Sequence, residues 1–264
     1  MDLAQSHKAD AFRALHEGQP FIIPNPWDAG SARILGEMGF KALASTSSGF
    51  AFTLGRRDGE ASLDEVTEHV RGLVRATNLP VSVDLENGYG PEPAAAAAAV
   101  TRAAEAGAVG GSIEDYDPAG EIYGLDHALD RVAAACEAAR ELHFPFMVTA
   151  RAENHIRGRP DLDDTIARLQ AFERAGADVL YAPGLQSGDE IRAICEATSK
   201  PVNVLAHAGL SMVEITEAGA QRVSVGGSLT WVAVKAMVDA AQRMRVDGDF
   251  SSLAIPSDLK QLLV

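Results

Sequence analysis

Apolar positions along the chain fall into two alternating rhythms. Short β-branched or aliphatic runs stand at residues 21–23, 40–44, 108–113, 146–150, 178–181, 202–205 and 222–225, with a further run opening at Val81; their length and side-chain type are those of buried strands. Between them, apolar residues return every three to four positions, as one face of a helix requires. These stretches are 29–38, 62–76, 92–106, 125–142, 162–175, 189–197, 211–217 and 228–245, preceded by an amphipathic segment at 8–17 suited to covering one end of the fold. Local chemistry marks the helix ends. Asp28 is placed as an N-cap, Gly39 as the residue that ends the same helix, and Ser62 with Glu65 as a capping box. The run 94–99 is all alanine, the best helix former, and reads as a tightly packed helix.

Eight strand-then-helix units imply parallel strands, and in 264 residues they imply a closed (β/α)8 barrel rather than a doubly wound sheet. No linker or composition break divides the chain, so residues 1–264 are expected to form one domain. Asp247-Gly248-Asp249 reads as a turn ending the last helix, leaving 247–264 as a tail with a short helix over 258–264.

Composition narrows the partners. A net charge of −14 argues against nucleic acid or an anionic membrane surface. No apolar run approaches bilayer-spanning length and the N-terminus lacks a signal-peptide core, so a cytoplasmic protein is expected. Cys136 and Cys195 lie in helical segments and are expected to be reduced and buried. His7, His16, His69, His127 and His143 sit in helical or terminal segments and are expected to be solvated.

A barrel of this type carries its chemistry at the C-terminal ends of its strands. There the sequence places Ser45, Thr46, Ser47 and Ser48 after strand two, Asp84 and Glu86 after three, Glu114 and Asp115 after four, Arg151 and Glu153 after five, and Asn203 and His207 on and after seven. Asp84 and Glu86 are two apart, on one side of their strand. Alone they could simply be hydrated. With so many carboxylates around one arginine, mutual repulsion calls for a cation, and an all-oxygen donor set suits Mg2+ or Mn2+ better than zinc.

The ordered motifs Gly55-Arg56-Arg57-Asp58, Asp84-x-Glu86-x-Gly88-Tyr89-Gly90, Ser112-Ile113-Glu114-Asp115 and Ala150-Arg151-x-Glu153 resemble the isocitrate lyase/phosphoenolpyruvate mutase superfamily over roughly residues 21–229. The resemblance implies Mg2+ bound by Asp84, with Glu86, Glu114 and Asp58 mostly reaching it through water. It implies an α-keto acid or enolate on that metal, its carboxylate held by the 45–49 turn (Ser45, Thr46, Ser47) and by Arg151, with Asn203 nearby. It also implies a homo-oligomer, commonly a tetramer exchanging C-terminal helices.

The departures are in the specificity apparatus. The lyases' Cys-bearing loop and the mutase's Lys and Asn are absent from the corresponding segment 115–124, and Tyr181-Ala182-Pro183 stands where the lyases carry a glutamate. The expected activity is Mg2+-dependent cleavage of a C–C bond in a small α-keto or 2-hydroxy acid, by decarboxylation of an oxaloacetate-like substrate or by lyase chemistry. Decarboxylation requires no dedicated base, whereas a lyase would draw one from Tyr89, Tyr116, His155 or His207. The alternatives are a phosphonopyruvate hydrolase-like P–C enzyme and a non-catalytic keto-acid-binding barrel.

Overall fold

The computed structural model describes residues 3–254, 256, 261 and 262. Eight parallel strands form the sheet: β1 (Phe21–Ile23), β2 (Leu43–Ala44), β3 (Val81–Asp84), β4 (Gly110–Glu114), β7 (Met147–Arg151), β8 (Val179–Tyr181), β9 (Val202–Leu205) and β10 (Arg222–Ser224). They run in the order β1-β10-β9-β8-β7-β4-β3-β2. The two ends of that order meet at one seam, where the Ala44 amide donates to the Pro24 carbonyl at 3.1 Å. Buried Asn25 reinforces it, donating to the Ser45 carbonyl and accepting the Val225 and Gly226 amides. The result is the (β/α)8 barrel expected from the alternation. The two strands not expected, β5 (Tyr116–Asp117) and β6 (Glu121–Ile122), pair antiparallel as a small hairpin beside the mouth.

The outer helices are α2 (Ala29–Glu37), α4 (Leu63–Ala76), α5 (Pro93–Glu105), α6 (Leu125–Arg140), α7 (Leu162–Ala175), α8 (Gly188–Ala197), α9 (Met212–Glu217) and α10 (Ser228–Asp247). Asp28 caps α2, and Ser62 with Glu65 forms a capping box on α4, as their spacing predicts. The Ala-rich α5 lets its backbone lie close against α6 and buries Ala96, Ala99, Val100, Ala103 and Ala104. The helix expected over 258–264 lies outside the described residues apart from 261 and 262.

The floor is closed by α1 (Leu3–Glu17), which packs Ala9 and Phe12 against Phe21, Val109, Met147 and Val179 at the strand starts. Gly110 makes room for this plug, since a Cβ there would lie 2.8 Å from Phe12 Cε1. A fully buried phenylalanine of this kind contributes about 1.5–3 kcal/mol over an exposed one. Sealing the floor leaves the C-terminal mouth as the open end of the barrel.

Candidate active site at the barrel mouth

Asp84 ends β3 facing the barrel mouth. Its Oδ1 accepts from Arg151 Nη1 at 2.8 Å and its Oδ2 from the Ser47 amide at 3.3 Å. The chain then turns sharply, with Glu86 at φ 47° and Tyr89 at φ 63°, both in the left-handed region that L residues seldom occupy. Several bonds hold this turn. The Glu86 amide donates to Asp84 Oδ1, the Gly88 amide to the Leu85 carbonyl, and the Tyr89 amide to Asn87 Oδ1. Gly88, at φ 81°, cannot carry a side chain, because its Cβ would lie 2.8 Å from the Ala96 backbone. From α6, buried Arg131 donates to the carbonyls of Asn87, Gly90, Pro91 and Glu92. Glu86 is thus presented by a strained but tightly fastened backbone.

Arg151, at the end of β7, is the electrostatic centre. Its Nη2 lies 3.0 Å from Glu114 Oε2 and 2.8 Å from Glu153 Oε1, and its Nε donates to the same Glu153 oxygen. Arg157 adds a second cation, 3.0 Å from Glu153 and 3.6 Å from Glu114, and its guanidinium lies 3.7 Å from the centre of the Tyr116 ring. Glu153 is fully buried. Its amide donates to Asp115, whose carboxylate also meets Arg168 at 3.0 Å, tying α7 to the site.

Negative charge is in excess at this mouth, and the acid–base properties show it. Burial, then the charges of Asp84 and Asp58, push Glu86 up to about 7. Burial raises Glu114 well above its usual value against the pull of Arg151. Asp58 is raised by burial, eased by the Ser47 hydroxyl, and raised again by Asp84. Burial opposes the charge of Arg151, yet Glu153, Glu114 and Asp84 outweigh it and hold the guanidinium protonated.

The structure brings Asp84, Glu114 and Arg151 into direct contact, with Glu86 and Asp58 near enough to feel Asp84. The 45–49 segment is not a simple turn. Thr46 is the N-cap of an additional short helix, α3 (Ser47–Thr53). Its side chain accepts from the Gly49 amide, and the Ser45 hydroxyl accepts from the Asp84 amide. These two side chains are therefore engaged in holding the mouth together, while the segment's surface lines a cavity of about 230 Å³ with Ser47, Ser48, Asp58, Asp84 and Arg151. Asn203 lines the same cavity lower in the barrel, bonded to Ser224 and Arg222.

Two histidines depart from expectation. His16 is buried under the barrel, accepting from Arg222, and His69 stacks on Phe50 with ring centroids 4.0 Å apart. Arg157, Arg222 and Asn25 belong to the site's framework and were not apparent from sequence. Arg157 follows Glu153 by one helical turn, a spacing that could have flagged it.

Among the described residues, no three His, Cys, Asp or Glu side chains converge at metal-ligand spacing. Asp84, Glu86 and Glu114 are accordingly not a preformed three-carboxylate cage. Their oxygen-only chemistry and unbalanced charge nonetheless fit a hard divalent cation, which typically uses one or two carboxylates and keeps water or substrate in its other positions.

A parallel (β/α)8 barrel with carboxylates and a central arginine at its C-terminal mouth has the architecture of an α/β-barrel enzyme. Residues 12–245 match the profile of the phosphoenolpyruvate phosphomutase family, and the chain belongs to that family, within the isocitrate lyase/PEP mutase superfamily. It is 32% identical to an uncharacterized protein of Mycobacterium tuberculosis, over 94% of each chain. It is 31% identical to the oxaloacetate decarboxylase of Paraburkholderia xenovorans, over 90% of this chain and 81% of that one. A crystal structure from Burkholderia cenocepacia J2315, named only as a candidate lyase/mutase, superposes with a TM-score of 0.95 at 51% identity, covering 98% of this chain and 96% of the other.

Proposed function

We propose that the protein cleaves a C–C bond in a small 2-oxo or 2-hydroxy carboxylic acid in a Mg2+- or Mn2+-dependent reaction, with oxaloacetate-like decarboxylation the leading case. The observation that carries this reading is the meeting of Asp84, Glu114 and Glu153 on the single Arg151 guanidinium at the barrel mouth. The similarity to an oxaloacetate decarboxylase supports it.

Asp84 would hold the cation directly, with Glu86, Glu114 and Asp58 around it through water. When bound, the cation supplies Lewis acidity that stabilises negative charge developing on the substrate oxygens. Arg151 orients the substrate carboxylate by a planar, charge-assisted contact. As the C–C bond breaks, its electron pair moves into the adjacent carbonyl, giving an enolate and carbon dioxide. Protonation of the enolate carbon completes the reaction. Tyr181 lines the cavity, and burial pushes its hydroxyl up to about 12, so the phenol remains protonated and uncharged beside Arg151. No base is needed to start this sequence, which suits a mouth whose 115–124 segment carries neither Cys, Lys nor His.

The test is a panel of 2-oxo, 2-hydroxy and phosphono acids with and without Mg2+, with products identified. Carbon dioxide or a keto-acid fragment is expected, abolished by chelator and by Asp84→Ala. Full activity of that variant, or indifference to chelator, would overturn the reading. The match to the phosphomutase family favours P–C chemistry as a second reading; phosphate release from phosphonopyruvate would select it.

We further propose that the protein is a homo-oligomer joined through α10. That helix buries only Thr230 over 20 residues. It exposes Trp231, Val232, Met237, Val238 and Val246, with Phe250 and Leu253 just beyond.

A further inference from the structure

Arg151 lines two cavities: the inner one already described, and an outer one of about 330 Å³ whose wall includes Arg157, Tyr116, Asp58, Glu86 and Glu114. Its guanidinium is heavily used. Nε and Nη2 reach Glu153 Oε1, Nη2 also meets Glu114 Oε2, and Nη1 meets Asp84 Oδ1. These contacts draw on a group with five N–H donors, so the carboxylates set the orientation in which Arg151 can meet a ligand.

Two of those carboxylates are held from the far side by Arg157. Glu153 gives Oε1 to Arg151 and Oε2 to Arg157, whose Nε and Nη2 lie at 3.1 and 3.0 Å. Glu114 gives Oε2 to Arg151 at 3.0 Å and Oε1 to Arg157 at 3.6 Å. The four side chains close a ring in which cation and anion alternate and each carboxylate bridges two guanidinium groups.

Local structure accounts for the placement. Arg157 stands one turn after Glu153, its amide donating to the Glu153 carbonyl at 3.0 Å, so both side chains leave the same face. Asp115 ties this turn to the β5–β6 hairpin: its Oδ1 accepts the Glu153 amide, and its carbonyl accepts the Tyr123 amide at the hairpin's root. The hairpin then lays Tyr116 on Arg157, the ring centre 3.7 Å from the guanidinium carbon. The Arg157 side chain is 38% exposed, where a flexible cation gains little from pairing alone. Stacking on an aromatic face restricts it. Neutralising the two carboxylates would require no more than an ammonium; bridging both while stacked uses the planar fork.

We propose that Arg157, held against Tyr116, is a positioning residue for the mouth: it fixes Glu114 and Glu153 from outside and thereby sets the plane in which Arg151 meets a bound carboxylate. This rests on the preceding reading that the mouth takes a small carboxylic acid with a divalent cation.

The experiment is calorimetry on the full-length protein, first with Mg2+ alone and then with oxalate added to the Mg2+-loaded protein. Oxalate offers a cation the same pair of adjacent oxygens as a 2-oxo acid. Arg157→Lys, which keeps the charge without the fork, should weaken oxalate by about tenfold, the scale of one misaligned charge-assisted hydrogen bond. Tyr116→Leu alters no charge and should weaken oxalate by about threefold, the scale of a partly exposed cation–π contact. Tyr116→Phe keeps the ring face and should bind oxalate more tightly than Tyr116→Leu. Joining Arg157→Lys to Tyr116→Leu should cost little more than Arg157→Lys alone, because the two act through one contact. Mg2+ affinity should stay at the wild-type level throughout, since no carboxylate and no net charge is removed; a general loosening of the mouth would lower it together with oxalate. That parallel loss, additive losses in the double variant, or wild-type oxalate affinity in folded Arg157→Lys would each overturn the proposal. If Arg157→Lys does not fold, equal oxalate affinity of Tyr116→Leu and Tyr116→Phe would overturn it. Absence of Mg2+-dependent oxalate binding by wild type would refute the mouth reading itself and this proposal with it.

Discussion

Replacing Arg151 with methionine removes the cation that contacts Asp84, Glu114 and Glu153 together. Glu153 would retain Arg157 at 3.0 Å and Glu114 would retain it at 3.6 Å, but Asp84 keeps no ion-pair partner among the described residues. Removing one member of a buried pair typically costs about 3–5 kcal/mol, because the other charge stays buried and uncompensated. With a side chain 13% exposed facing carboxylates 17%, 7% and 0% exposed, Arg151 falls within that range. At about 2–4 °C per kcal/mol for a chain of this size, the midpoint should fall by about 6–20 °C. Arg151→Lys should lose less, keeping a charge but not a fork that reaches three acceptors. Adding Glu153→Gln to Arg151→Met should return part of the loss, since one stranded charge disappears. Thermal and denaturant unfolding of the four proteins, without and with Mg2+, would measure these effects. A loss below 1 kcal/mol in Arg151→Met, or identical losses for Lys and Met, would refute the picture of a guanidinium balancing three carboxylates.

Two further outcomes follow from parts of the molecule far from the mouth. Burial, reinforced by Arg222, lowers His16 from 6.5 to about 3. The unfolded chain therefore binds this proton first, and stability is lost as pH falls from about 6.5 towards 3, by up to about 4–5 kcal/mol from this residue. Stability measured against pH should show a shallower acid slope in His16→Asn; an unchanged slope would count against a buried neutral imidazole. For α10, sedimentation should give wild type a mass above its 27.8 kDa chain, and paired Met237→Asp and Val238→Asp should reduce it. A monomeric wild type at micromolar concentration would sink the interface.

The barrel was legible because its signals are local. Short β-branched runs, amphipathic stretches and the caps at Asp28, Ser62 and Glu65 act within a few residues, and the structure follows them. Asp84, Glu114 and Arg151 were legible because strand ends in a barrel point to one rim. The helix α3 was hidden because Ser47–Thr53 is short and carries a glycine, and its start is fixed by Thr46 and by tertiary contact of Ser47 with Asp84. The β5–β6 hairpin stands beside Arg157 from a distant segment, whose guanidinium covers Tyr116. His16 resembled the solvated end of an amphipathic helix; its partner Arg222 is 206 residues away. No periodicity carries that information.

The two arginines explain how one interior can be both tightly packed and chemically charged. Arg151 is surrounded by carboxylates and Arg222 by neutral acceptors, although both lie on a single row of strand partners. An anion entering the barrel meets the excess negative charge of Asp58, Asp84 and Glu86 first. A bound divalent cation would reverse that field at the mouth, while Arg222 already provides an unopposed positive charge below it. Binding is then expected to be ordered, cation before anion, because the uncompensated carboxylates of the rim repel an anion until the cation neutralises them.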